Sequence, residues 1–222
     1  MSVDFKKICN DICPIIKKFP KKLDGKKSIL EMKENNGSNW KQMEWMGFYF
    51  EYWCNKNLKK IMQMPYAKKY GRVSFDGFLE IPWDFKCHAI ESGNKVIIND
   101  SEAISNAVNE FGCIGVILVA ASVNYDNESL DFKKWHDVLK GGTSNYEKKR
   151  LERRAPSRKR KTSMNISKIY FIRIDDDLLV RCGSFQKNFR NANGVPRRGK
   201  VLLDLTKMNE HVEYMINYND LN

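Results

Sequence analysis

Histidine is scarce in this chain: His88, His136 and His211 are the three among 222 residues. No two of the six cysteines are spaced C-x-x-C. Structural zinc needs four thiolate or imidazole ligands, usually paired at such spacings, so a zinc module is excluded. Long apolar runs are missing too. The best candidate, Phe111–Val123, is interrupted by Gly112 and Gly115. It falls short of the roughly 18 residues that a membrane span requires, so no membrane partner is expected. Met1–Lys7 lacks the apolar core of a secretory signal. Cys9, Cys13, Cys54, Cys87, Cys113 and Cys182 lie mostly in apolar stretches. A chain of this length builds a core without disulfides. The expectation is an intracellular, cytoplasmic protein with reduced thiols.

What is present is an ordinary globular composition with a displaced charge. Hydrophobic residues make up 42% and charged residues 30%, which excludes a wholly disordered chain. Lys and Arg outnumber Asp and Glu by 39 to 27, a net charge of +12. Residues 131–200 hold 20 Lys/Arg against 7 Asp/Glu, a net of +13. The other 152 residues hold 19 and 20, a net of −1, so the whole surplus lies in one segment. Its densest part is Tyr146–Thr162, with Arg153, Arg154, Arg158, Lys159 and Arg160 around Pro156. So much like charge is self-repelling, which predicts a mobile or weakly helical arm. A solvated linker and a nuclear-localisation signal are competing readings. A locally concentrated surplus beside a neutral domain favours an arm that neutralises nucleic-acid phosphates.

The hydrophobic spacing divides the chain. Met1 to about Phe19 reads as a helix with Pro14 as a kink or restart, and Pro20–Asn39 as turn-prone. Trp40, Met43, Met46, Phe50, Trp53, Cys54 and Leu58 form a helical stripe, capped by Ser38 or Asn39 and running to about Gln63. The period then becomes two, over Arg72–Phe78 and Trp83–Ala89. A short strand over Val96–Ile98 precedes a helix to about Phe111. The continuous apolar run Cys113–Val123 reads as a strand covered on both faces, and Asn127–Gly141 as a helix. Lys168–Ile174 and Leu178–Cys182 read as a hairpin turning at Asp175–Asp177, with Val201–Leu205 as a last strand. The expected fold is α/β, an αβββαβ core with a mixed central sheet flanked by helices. One domain is expected over 1–222, with a core over about 40–140 and a basic elaboration over about 145–205.

Chemistry is carried by Asp76 and by Asp84-Phe85-Lys86. A strand period of two puts Asp84 and Lys86 on one face, where a neighbouring strand brings Asp76. Mg²⁺ prefers carboxylate oxygens, waters and phosphate oxygens. A metal so held acidifies a water for attack on phosphorus, and a lysine beside it stabilises developing negative charge. Acid-x-Lys occurs six times in the chain, but only Asp84/Lys86 falls on a half-buried strand after an acid-bearing strand.

In these residues and their element order, residues 40–123 resemble the PD-(D/E)XK nuclease superfamily, and the chain's size is similar to type II restriction endonucleases. The resemblance implies a restriction-endonuclease-like core and Mg²⁺-dependent, sequence-specific cleavage of double-stranded DNA, with a homodimer acting on both strands. It makes Asp76 and Asp84 the metal ligands and Lys86 the catalytic lysine. Glu80 is the alternative first acid, because Phe75 stands where the family pattern has proline and the hairpin is short. Glu51, on the preceding helix, matches an acid that many such enzymes place near the metals.

The polar stretch 184–200 carries Gln186, Lys187, Arg190, Asn193, Arg197 and Arg198. Arg matches guanine edges and Gln or Asn adenine edges, so this stretch reads as a base-reading loop beside the basic arm. The alternative for the whole chain is a basic nucleic-acid-binding protein without catalysis.

Overall fold

The structure is a computed structural model that describes residues 3–71, 73–155, 159–186, 198–208 and 212–220. Helix α1 (Phe5–Ile16) begins where the Asp4 carboxylate accepts from the Lys7 amide at 3.0 Å. It buries Phe5, Ile8, Cys9, Ile12, Cys13 and Ile16, and runs through Pro14 in its last turn. The turn-prone stretch expected over 20–39 instead holds strand β1 (Lys22–Asp24) and helix α2 (Gly25–Glu34). Asp24 caps α2 by accepting from Lys27 N at 2.9 Å, and only Ile29 and Met32 give it large apolar contacts. Three apolar residues, Ile29, Leu30 and Met32, in a lysine-rich window leave little helical period to read.

Helix α3 (Trp45–Leu58) starts later and ends earlier than its apolar stripe predicts. The Trp40 carbonyl accepts from His136 Nε2 at 3.0 Å, which ties residues 39–44 outside the helix. Trp45 is fully buried, and its Nε1 donates to the Lys161 carbonyl at 2.7 Å.

The single strand expected over 72–78 is divided. β2 (Lys69–Tyr70) pairs with β3 (Val73–Ser74), and β4 (Gly77–Leu79) pairs antiparallel with β5 (Ile81–Ala89). Phe75 packs with Tyr70 in one apolar cluster, whereas Leu79 and Ile81 pack in another, so the chain changes sides at Asp76. Next come β6 (Lys95–Asp100), α4 (Ser101–Phe111), β7 (Ile114–Tyr125), α5 (Asp131–Lys140) and α6 (Asn145–Glu152). The chain continues with β8 (Lys161–Ile174), α7 (Asp176–Cys182), β9 (Gly183–Gln186), β10 (Lys200–Asp204) and β11 (Val212–Asn217). The hairpin partner expected over 178–182 is therefore part of a helix. Asp175 accepts from Leu178 N at 3.0 Å, and Asp176 and Asp177 sit at the positive end of the helix dipole.

The central sheet runs β1-β8-β7-β5-β4, with β11 also on β8. β5 and β7 are parallel and the other pairs antiparallel, so the sheet is mixed. Along the chain α3-β4-β5-β6-α4-β7 follow in the expected order, but β6 leaves this sheet to pair with β10 in a second one. β7 is covered on both faces as its apolar run predicts. Ile117, Val119 and Ala121 join the cluster under α1 and α3, and Ile114, Val116 and Leu118 join the cluster under α4. Among the described residues no helix is long and apolar enough to cross a membrane. Cys9, Cys13, Cys54, Cys87 and Cys113 are free thiols.

The register Trp83↔Gly115 sets β5 against β7. A Cβ on Gly115 would stand 2.4 Å from the Trp83 ring, which is fully buried and stacked on Phe5 at 5.3 Å. Gly115→Ala is expected to destabilise the protein by about 1–3 kcal/mol through overpacking, measured as a lower urea midpoint. An unchanged midpoint would refute this packing.

Candidate active site

β4 is short, and that is what opens the site. It pairs with β5 from Leu79↔Ile81 no further than Gly77↔Trp83, so that edge of β5 beyond Trp83 has no strand beside it. Asp76 takes the place of that strand. Its amide donates to the Trp83 carbonyl at 2.9 Å, and its Oδ2 accepts from the Phe85 amide at 2.6 Å. One residue thus ends the ladder and turns a carboxylate onto β5.

Asp84 and Lys86 lie two residues apart on β5, and Lys86 Nζ is 2.6 Å from Asp84 Oδ2. Asp84 is 1% exposed, and its other oxygen accepts from Asn99 Nδ2 at 3.3 Å. The Lys86 ammonium is thus the charge set against the buried Oδ2. Lys86, with a quarter of its side chain exposed, covers Asp84 and reaches an open cleft of about 280 Å³. Glu51, Gly47 and Phe48 of α3 form the facing wall, and Asp76 and Cys87 lie beside Lys86. Glu44 and Lys161, paired at 2.6 Å, complete the rim.

The charges feel one another. Burial raises Asp76 well above the usual carboxylate range, the Asp84 charge raises it further, and Lys86 and the Phe85 amide oppose the shift. Burial likewise raises Glu51, with Lys86 lowering and Asp84 raising it. For Lys86, burial works downward, but Asp84, Asp76 and Glu51 together carry its pKa upward. The cleft therefore holds a persistent ammonium among carboxylates that resist ionisation.

The structure brings Asp76, Asp84, Lys86 and Glu51 together. It puts Glu80, the alternative first acid, at the exposed tip of the β4–β5 turn with φ +57°. His88 is buried and bonds the Gly93 carbonyl at 2.6 Å, a packing role. Of the basic arm, Arg153 and Arg154 are exposed after α6, a regular helix capped by Ser144. Lys159 is exposed and paired with Glu128 at 2.5 Å. Arg160, expected to reach phosphates, is buried at 6% exposure, and its carbonyl accepts from Asp126 N at 2.7 Å. Arg198 is half engaged, with Glu102 at 3.2 Å and Asp100 at 4.0 Å. Arg158, Lys187, Arg190, Asn193 and Arg197 lie outside the described residues, as does the side chain of Gln186.

Sequence reasoning missed Asn99, Glu44 and Lys161. The sole signal for Asn99 is a polar residue ending an apolar strand, and the helix cap beside it is Asp100. Among the described residues, no three His, Cys, Asp or Glu side chains are grouped so as to hold a metal ion as they stand. No family model, curated protein or solved structure matches this chain.

Asp76 and Glu51 have raised folded-state pKa values, so folding takes up protons as pH climbs past the usual carboxylate range. Stability from these groups is full below the unfolded value of about 4 and is lost as pH rises through the folded value. In EDTA, Asp76→Asn and Glu51→Gln are expected to raise the melting temperature at pH 7.5 and to change it little at pH 4. Calorimetry at both pH values checks this, and an equal loss at both would refute it.

Proposed function

We propose that this protein is a Mg²⁺-dependent phosphodiester hydrolase acting on nucleic acid, of the kind that the restriction-endonuclease resemblance implies. The supporting observation is that Asp76, Lys86 and Glu51 line one open cleft at the sheet edge, with Asp84 buried directly beneath Lys86. The donor chemistry suits a hard cation, since the acids of the cluster offer only carboxylate oxygens. Asp84 and Asp76 would hold the ion, with Glu51 opposite. When bound, Mg²⁺ would supply an acidified water and polarise the phosphate.

The chain's own groups have separable roles. Lys86, kept charged by its carboxylates, stabilises negative charge building on phosphorus and orients a water through its N–H groups. Asn99 fixes the rotamer of Asp84 from behind. Asp76 stays aimed at β5 because its Oδ2 is tied to the Phe85 amide. The exposed cations Lys148, Lys149, Arg153 and Arg154 would draw in the polyanion. Sequence-specific cutting of double-stranded DNA by a homodimer is the finer form of this reading.

A second reading, binding without catalysis, draws support from Asp84 lying beneath Lys86 and from the same exposed cations. Incubation with plasmid and phage DNA, with and without Mg²⁺, separates the two. Discrete bands that need Mg²⁺ are expected. Asp84→Ala and Lys86→Ala are expected to slow cleavage at least about 100-fold with DNA affinity retained. Binding in EDTA with no cutting on adding Mg²⁺ would leave the second reading standing.

A further inference from the structure

A second and larger cleft, about 460 Å³, lies between the C-terminal end of α2 and the outer face of α3. It shares Phe48 and Glu51 with the active-site cleft, so the two clefts adjoin on α3. Its chemistry is different. Asn36, Asn39 and Asn55 line it with side-chain amides, and Lys56 and Lys59 stand at its far end. Two of its lining residues are held by Glu31 of α2, whose carboxylate accepts from Tyr52 at 3.4 Å, lies 3.7 Å from Lys56 Nζ and also accepts from Tyr49 at 2.7 Å. The braces run from α2 to α3, so the cleft is set before any ligand arrives.

Amides offer a donor and an acceptor together, the pairing that nucleobase edges present. A half-buried aromatic ring offers a stacking face, and lysines beyond it suit backbone phosphate. Amides, ring and lysines line one cleft that adjoins the acid cluster at Glu51. We propose that this α2–α3 cleft binds a nucleotide of the same strand whose phosphate enters the active site, with Lys56 and Lys59 on the flanking phosphates. The site rests on the hydrolase reading for its substrate class, but its binding is measurable without chemistry.

The test is fluorescence anisotropy of a labelled single-stranded DNA 12-mer with the full chain in EDTA. Lys56 and Lys59 are both exposed, so their replacement leaves the core intact. Lys56→Ala/Lys59→Ala is expected to weaken binding about tenfold and to reduce the slope of log K against log salt by about 1.4, two contacts at 0.7 each. Lys95→Ala/Lys207→Ala removes the same charge elsewhere and is expected to change the slope by much less. Equal effects in the two double variants, or no binding by the wild-type chain, would overturn the cleft assignment. Loss of binding in the first variant alone, with a wild-type chain that never cuts, would retain the cleft and reject the hydrolase reading.

Discussion

A carboxylate with 1% exposure sits within the central sheet, and the ammonium two residues along the same strand makes its burial tolerable. Placing one ion away from water costs several kcal/mol, and a single close counter-ion offsets that only in part. Asp84 Oδ2 has the Lys86 ammonium against it, and the neighbouring acids resist ionisation. A sheet optimised for stability alone would put apolar side chains here, as β7 does next door at Val116 and Leu118. Polar groups gathered at such a cost are what a functional site looks like.

The same frame explains why the site is open. β5 is protected by β7 along one edge, but β4 begins only at Gly77, opposite Trp83, and leaves the rest of the other edge exposed. An unpaired edge is normally an aggregation hazard. Here the first free amide is satisfied by Asp76, and Lys86 places a charge on the edge immediately after it. Both devices that protect the edge also supply chemical groups to the cleft.

Charge elsewhere is anchored with similar economy. α6 carries Lys148, Lys149 and Arg150 and could not pack on its own. It is held by its single buried residue, Glu147, which lies 3.9 Å from Lys133 Nζ. Lys133 in turn pairs with Asp137 at 2.9 Å, and Asp137 with Lys140 at 2.7 Å. A buried chain of alternating charges on α5 thus fixes a solvated, cationic helix to the body of the protein.

Much of this was legible in the sequence. The switch of period from 3.6 to two places α3 and β5, and the unbroken apolar run makes β7 a strand covered on both faces. Alternation along β5 sets Asp84 and Lys86 two residues apart on one face. These features are local, repeating and apolar, which is the kind of signal a linear sequence carries. Only the tertiary structure decided that Asp76 rather than Glu80 meets them, because that depends on where β4 stops. It alone sent β6 to a second sheet and turned 178–182 into helix, since strand partners are chosen across long separations. It alone joined Asn99 and Lys161 to the site, because residues from separate elements meet through packing that no spacing along the chain encodes.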